Sequence, residues 1–234
     1  MTNPKIALVT GASSGIGKAI SKRLLALGYK VIGVSRHIEN SLFQNDNFSA
    51  VQADLSTQQG TVKISEILRV EDIFILINVA GFGKFEPHEE LDVPTILDMT
   101  FLNLTAPMIL TNAALRNLKK NDGYLMNINS IEALRASKFA GVYSATKAGL
   151  RAFSDSLFEE TRKSGLSITN INPDMTKSNF YSELRFEPKN KENARLVATD
   201  IADAVEHILK MRKGAVVSDY TIRSLNFGIS KKVL

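Results

Sequence analysis

Tyr143 and Lys147 stand four residues apart in the run Tyr143-Ser-Ala-Thr-Lys147, and Ser130 lies thirteen residues before the tyrosine. On a helix that spacing puts both side chains on one face, an ammonium beside a phenol. A phenol titrates near 10 and exchanges protons poorly around neutrality until its anion is stabilised. A neighbouring cation supplies that stabilisation, and a hydroxyl such as that of Ser130 can donate to an oxygen on which charge develops. The set therefore suits proton transfer to or from a substrate oxygen, provided the rest of the chain delivers a second reactant.

The elements that would position these residues read clearly from the hydrophobic pattern. Lys5 to Thr10 is an apolar strand, and the turn Gly11-Ala-Ser-Ser-Gly-Ile-Gly17 follows at once. A helix comes next, with Ile16, Ile20, Leu24 and Leu27 on one stripe and Gly28 as its stop. A glycine turn between strand and helix lets the backbone approach a phosphate at the helix N-terminus. Val31 to Val34 completes a βαβ unit. Further strands are expected at Phe48–Ala53, Ile73–Ile77, Tyr124–Asn129, Leu166–Ile171 and Ala215–Ser218. Helices are expected at Thr57–Arg69, Pro94–Lys120 with a kink or break at Pro107, Val142–Lys163 and Asp200–Met211. The alternation predicts an α/β fold of the Rossmann type, a doubly wound parallel sheet of about seven strands. Ligands of such sheets bind in a crevice at the carboxyl ends of the strands. One domain spans 1–234, and the polar segment 174–194 is the expected substrate lid.

At 234 residues the chain is near the size at which a single core stops growing, so a separate catalytic domain has no room. The absence of cysteine excludes thiolate chemistry and disulfides and leaves a cytoplasmic setting as the expectation. Apolar runs such as Ile73–Ile77 are shorter than the roughly 20 residues of a membrane span, so no membrane segment and no signal peptide are expected. The net charge of +5 is scattered rather than clustered, which argues against nucleic acid while still favouring a phosphorylated ligand. His37, His88 and His207 form no metal pattern, and no metal is expected.

Thr10-Gly-Ala-Ser-Ser-Gly-Ile-Gly17 resembles the cofactor motif of the short-chain dehydrogenase/reductase family, and Tyr143-Ser-Ala-Thr-Lys147 resembles its catalytic motif. Asp54-Leu55, Asn78-Val-Ala-Gly81, Asn103-Leu-Thr105, Ser130 and Pro173-Asp174 fall at compatible places, so the resemblance covers essentially the whole chain. It is similar in particular to NADP-dependent ketoreductases such as 3-oxoacyl-acyl-carrier-protein reductase. The resemblance implies that Gly11, Ser13, Ser14, Gly15, Ile16 and Gly17 hold the cofactor. It further implies that Asp54, with Leu55, meets the adenine, and that Asn78, Ala80 and Gly81 pass under the ribose. Tyr143 and Lys147 would meet the nicotinamide end, with Pro173, Thr176 and Ser178 beyond. Asn103 would hold a water linking Lys147 to solvent. Two departures stand out, Val79 where the family carries a second asparagine and Asp174 where it carries glycine.

The end of the second strand selects between the nicotinamide cofactors, because an acidic residue there would repel a 2′-phosphate. This chain has Ser35-Arg36-His37, and a guanidinium fork suits phosphate. NADP(H) is therefore expected in preference to NAD(H). The functional expectation is an oxidoreductase moving a hydride between NADP(H) and a small-molecule carbonyl or alcohol, with Tyr143 as proton donor or acceptor. The alternative is a dinucleotide-binding regulator or scaffold without turnover; an epimerase of the extended branch would need more chain after Ser218. The substrate stays open among ketoacyl thioesters, sugars, steroid-like rings and small ketones. By resemblance the protein is expected to form a homodimer or homotetramer through its two long helices.

Overall fold

Every residue of the strand Ile73–Asn78 is buried, which a sheet covered on both faces allows. The computed structural model describes residues 4–232, so the first three and last two residues of the expected domain lie outside it. From the N-terminus come β1 (Ile6–Thr10), α1 (Gly15–Ala26), β2 (Lys30–Ser35), β3 (Phe48–Gln52), α2 (Gln58–Val70) and β4 (Ile73–Asn78). The middle of the chain forms α3 (Val93–Thr100), α4 (Ala106–Lys120), β5 (Tyr124–Ile128), α5 (Gly141–Thr161) and β6 (Ser167–Pro173). Then follow the short β7 (Thr176–Lys177), β8 (Phe186–Pro188) and β9 (Leu196–Val197), α6 (Ala198–Leu209), β10 (Asp219–Ile222) and β11 (Ile229–Lys231).

Seven strands make one parallel sheet in the order β10-β6-β5-β4-β1-β2-β3. The order reverses between β1 and β4, and crossovers leaving in opposite directions open a crevice there. Two apolar layers flank the sheet. Ile20 and Leu24 of α1 and Ile201 and Val205 of α6 pack on Val9, Ile75 and Ile77. Leu68 of α2, Leu110 and Leu118 of α4 and Leu157 of α5 pack on the other face with Leu8 and Leu125. Each such side chain, fully buried, contributes about 1.5–3 kcal/mol. These layers hold the strand ends that carry the site.

One expectation needs correction. The seventh strand of the sheet is Asp219–Ile222, not Ala215–Ser218. The apolar run ahead of it approaches in extended form, with Val217 packed on the core and the Ser218 carbonyl accepting from Asn170 N at 2.8 Å. The strand itself is polar, and its first side chain accepts from Arg151 Nη2 at 2.8 Å and Asn172 Nδ2 at 2.7 Å. Hydrophobic pattern is silent about such a strand.

The long helix breaks just ahead of Pro107, as that proline implied. A π-helical turn, Phe101–Thr105, separates α3 from α4, and Pro107 falls in the first turn of α4. Proline lacks the N–H that the carbonyl four residues earlier needs, so the disturbance centres on Asn103. By length and composition alone Val93–Lys120 is long and apolar enough to cross a membrane, a test that core helices also meet. Here Leu110, Ala114 and Leu118 pack on the sheet, and Asn117 Nδ2 donates to the carbonyls of Leu68 and Glu71 at 3.0 and 2.9 Å.

The segment expected to be a lid, 174–194, carries short strand pairings. β7 pairs in parallel with β9, and β8 pairs antiparallel with β11 near the C-terminus.

Candidate active site

α5 starts two residues before Tyr143 and lies along β5 and β6, which points its first two turns at the carboxyl end of β5. Tyr143 and Lys147 are 7% and 5% exposed, so both functional groups sit inside the protein. Lys147 Nζ donates to the Ile128 carbonyl at 2.9 Å and lies 5.9 Å from the centre of the Tyr143 ring. Ser130 begins the turn after β5, where its hydroxyl accepts from Glu132 N at 3.2 Å and also bonds the Tyr143 phenol. The three side chains expected to act together are thus in one place.

Burial pushes the Tyr143 phenol up to about 12; the Ser130 bond works against the rise and the Glu132 charge adds to it. Burial also pushes Lys147 down to about 8. The protein's own groups therefore keep the phenol protonated, and Lys147 by itself does not outweigh the loss of water around the tyrosine.

Asn103 belongs to the same cluster, but its amide is engaged. Its Oδ1 accepts from Phe82 N at 3.0 Å, and its Nδ2 donates to the Phe82 carbonyl at 2.8 Å and to Thr146 Oγ1 at 3.3 Å. It clamps the turn after β4 against α5. A Cβ on Gly81 would stand 2.9 Å from Asn103 Oδ1 and 3.7 Å from Lys147 Nζ, so glycine is needed for this approach.

The glycine turn lies at the carboxyl end of β1. Gly11 and Gly15 have φ of 66° and 52°, and a Cβ on Gly17 would stand 2.2 Å from the Gly11 carbonyl oxygen. Ser14 is the N-cap of α1 but makes no side-chain cap bond, which leaves the leading N–H groups of the helix for a ligand or water. Ser13 Oγ and Ser35 Oγ are 2.9 Å apart, tying this turn to the end of β2, and Arg36 follows there with its side chain exposed. Burial opposes the charge of Asp54, but bonds from Ser56 and the nearby Arg36 outweigh it and hold the carboxyl below its usual value. Leu55 is core, with Ala80 packed against it, so these two side chains support the turns.

At Val79 the turn is held from β1. Thr10 Oγ1 accepts from both Val79 N and Ala80 N, at 2.9 and 3.0 Å. Asn78 Nδ2 donates to Asn127 Oδ1 at 2.8 Å, and Asn127 Nδ2 donates to Ser154 Oγ at 2.8 Å, so polar side chains cross from β4 to α5. At the second departure, Asp174 is not among the residues with positive φ. Its Oδ1 accepts from Met175 N at 2.8 Å, and the Thr176 hydroxyl donates to its carbonyl at 2.9 Å.

A cavity of about 640 Å³ opens over these strand ends, with Tyr143, Lys147 and Ser130 on its wall. Ile16, Val79, Gly81, Pro173, Thr176 and Ser178 also line it. Ser178 sits on the glycine turn, since a Cβ on Gly15 would be 3.2 Å from its Cβ.

Residues 5–189 match the model of the short chain dehydrogenase family. The chain belongs to that family. An uncharacterized oxidoreductase of Staphylococcus epidermidis is 32% identical over 229 residues, covering 94% of this chain and 96% of its own. The alcohol dehydrogenase from the archaeon Thermococcus sibiricus complexed with 5-hydroxy-NADP superposes with a TM-score of 0.84 at 27% identity, over 94% of this chain and 97% of its own. A 4-hydroxyisoleucine dehydrogenase complexed with NADH superposes with a TM-score of 0.80 at 25% identity, again over 94% and 97%. The protein is a short-chain dehydrogenase/reductase, an oxidoreductase by family.

Several residues of this dehydrogenase's site were not legible as such. Phe85 lies 5.2 Å from the Tyr143 ring, Phe180 lies 5.8 Å from it, and Phe186 lies 5.3 Å from Phe85, forming an aromatic wall beside the phenol. Phe227, Ile229, Lys231 and Lys232 reach the cavity from the far C-terminus. Glu132 lines it as well; the signal available was a carboxylate two residues after Ser130. His37 and His88 are exposed and do not line the cavity.

Proposed function

We propose that this dehydrogenase transfers a hydride between NADP(H) and a carbonyl/alcohol pair, with Tyr143 giving its proton in reduction and taking one in oxidation. The observation that carries the reading is the meeting of the Tyr143 phenol, the Ser130 hydroxyl and Lys147 on one cavity wall, at the end of the crevice opposite the glycine turn. The residues present fit a dinucleotide. The uncapped start of α1 suits a pyrophosphate, Ser35 and Arg36 suit a 2′-phosphate, and Gly81 and Lys147 suit a ribose. When bound, the nicotinamide supplies or accepts the hydride. Ser130 donates to the substrate oxygen, and Tyr143, kept protonated by burial, is ready to hand over its proton. Lys147 stabilises the anion left behind, and a bound oxidised nicotinamide would add its positive charge. The two solved relatives carry different cofactors, so the preference for NADP(H) rests on Arg36.

Consumption of NADPH and of NADH with a panel of ketones and aldehydes tests the reading. Tyr143→Phe is expected to lose about 10²–10⁴-fold in kcat while NADPH affinity stays close to the parent's. A variant that reduces carbonyls at the parent's rate removes Tyr143 as the proton donor, and equal kcat/KM with both cofactors removes the NADP(H) preference. Binding without turnover across the panel favours a dinucleotide-binding regulator.

A further inference from the structure

Resting on that carbonyl/alcohol reading, we propose that the substrate carries an anionic group, a carboxylate or a phosphate, at the far end of an apolar body. Beyond Tyr143 the cavity has an aromatic wall and a basic rim. β8 and β11 build one side of the rim: Phe186 pairs with Lys231, Lys232 N donates to the Arg185 carbonyl at 2.9 Å, and both Arg185 and Lys231 line the cavity. The loop ahead of α5 brings Arg135 and Lys138 to the same cavity.

Two acids also line it, and both are buried and engaged. Glu132 Oε1 accepts from Arg135 Nε and Nη2 at 3.1 and 2.9 Å. Asp174 Oδ1 accepts from Met175 N, and its Oδ2 is 3.7 Å from Arg223 Nε. The Lys232 ammonium donates to the carbonyls of Tyr181 and Ser182. Arg185, Lys231 and Lys138 remain: all three are exposed, and among the described residues none has an acidic partner.

Unpaired like charges around one mouth repel each other and do nothing for the fold, whereas an anion among them gains charge-assisted hydrogen bonds. The cofactor's phosphates do not account for them, because the glycine turn and Arg36 serve the other end of the crevice. Phe139, Phe227 and Ile229 are 46%, 62% and 42% exposed and also line the cavity, so the route to the charged group is apolar. Phe139 holds φ of 66°, a conformation that non-glycine residues rarely adopt.

Calorimetric titration of the full chain with NADP present, using phenylbutanoate, phenylpropyl phosphate and the neutral phenylbutanamide, tests the assignment. At least one anion is expected to bind about tenfold more tightly than the amide, the size of one hydrogen bond to a charged group. The better of the two identifies the headgroup. In the Arg185→Gln/Lys231→Gln double variant the advantage collapses while amide affinity holds. Equal affinities in the parent, no binding of either anion, or an advantage that survives the double variant overturns the proposal. The carbonyl panel fails independently: anion discrimination without any turnover would leave the anion site standing and remove the enzymatic reading.

Discussion

Lys147 and Tyr143 compete for the same buried space, and each is driven toward its neutral form. The folded lysine releases its proton at about 8, against 10.5 for the free side chain. Between pH 8 and 10 the unfolded chain thus holds a proton that the folded chain has lost, so this residue makes stability rise with pH across that window. Tyr143 acts in the opposite sense above 10, because the folded phenol keeps its proton to about 12. Lys147→Met isolates the lysine's part. The difference in unfolding free energy, parent minus variant, is expected to grow by roughly 2–3 kcal/mol from pH 8 to 10. Urea denaturation at closely spaced pH values measures it, and a flat difference would show that burial does not set the proton affinity of Lys147. The pair was legible in sequence because four residues on a helix translate directly into a shared face. Glu132 was not, since whether a carboxylate after a strand faces solvent or a cavity depends on the loop that closes over it.

Strand ends, rather than strand interiors, carry the turns that shape this site. At Val79 one hydroxyl meets two donors of the turn: Thr10 is 1% exposed and accepts from two successive backbone N–H groups. Thr10→Val keeps the shape and removes the acceptor, leaving both donors without their partner. An orphaned buried donor costs about 1–3 kcal/mol, so a loss of about 2–4 kcal/mol is expected, with weaker NADPH binding because the turn passes beside Gly11. Thr10→Ser should restore most of both. If Thr10→Val unfolds at the parent's urea midpoint, the hydroxyl does not hold the turn. At this scale the apolar strands and amphipathic helices were readable, because burial on one or both faces writes a period into the sequence. β10 was misplaced because it opens on a polar residue, Asp219, held by Arg151 and Asn172, and only Tyr220 and Ile222 of its four residues pack on the core. The π-helical turn was foreshadowed only by Pro107, which marks a break without saying how the backbone absorbs it.

Across the whole molecule, part of the cavity wall comes from beyond the family match. The family match ends at residue 189, before α6 and β10 complete the sheet and before β11 reaches back to the cavity. The pairing of β8 with β11 joins three-residue strands about forty residues apart, too short for any hydrophobic period to announce them. β11 lies outside the seven-stranded sheet, and Leu225, which leads into it, is 85% exposed. A chain ending at Ser224 therefore keeps both core layers, the glycine turn, Arg36 and Tyr143, and loses Phe227, Ile229, Lys231 and Lys232 from the cavity wall. Such a truncation is expected to bind NADPH as the parent does and to raise KM for a preferred carbonyl substrate about tenfold, the equivalent of about 1.4 kcal/mol of lost contact. A parallel loss of NADPH binding, or an unchanged KM, would mean that β11 supports the fold or merely lies over it, and that substrate selectivity is set elsewhere.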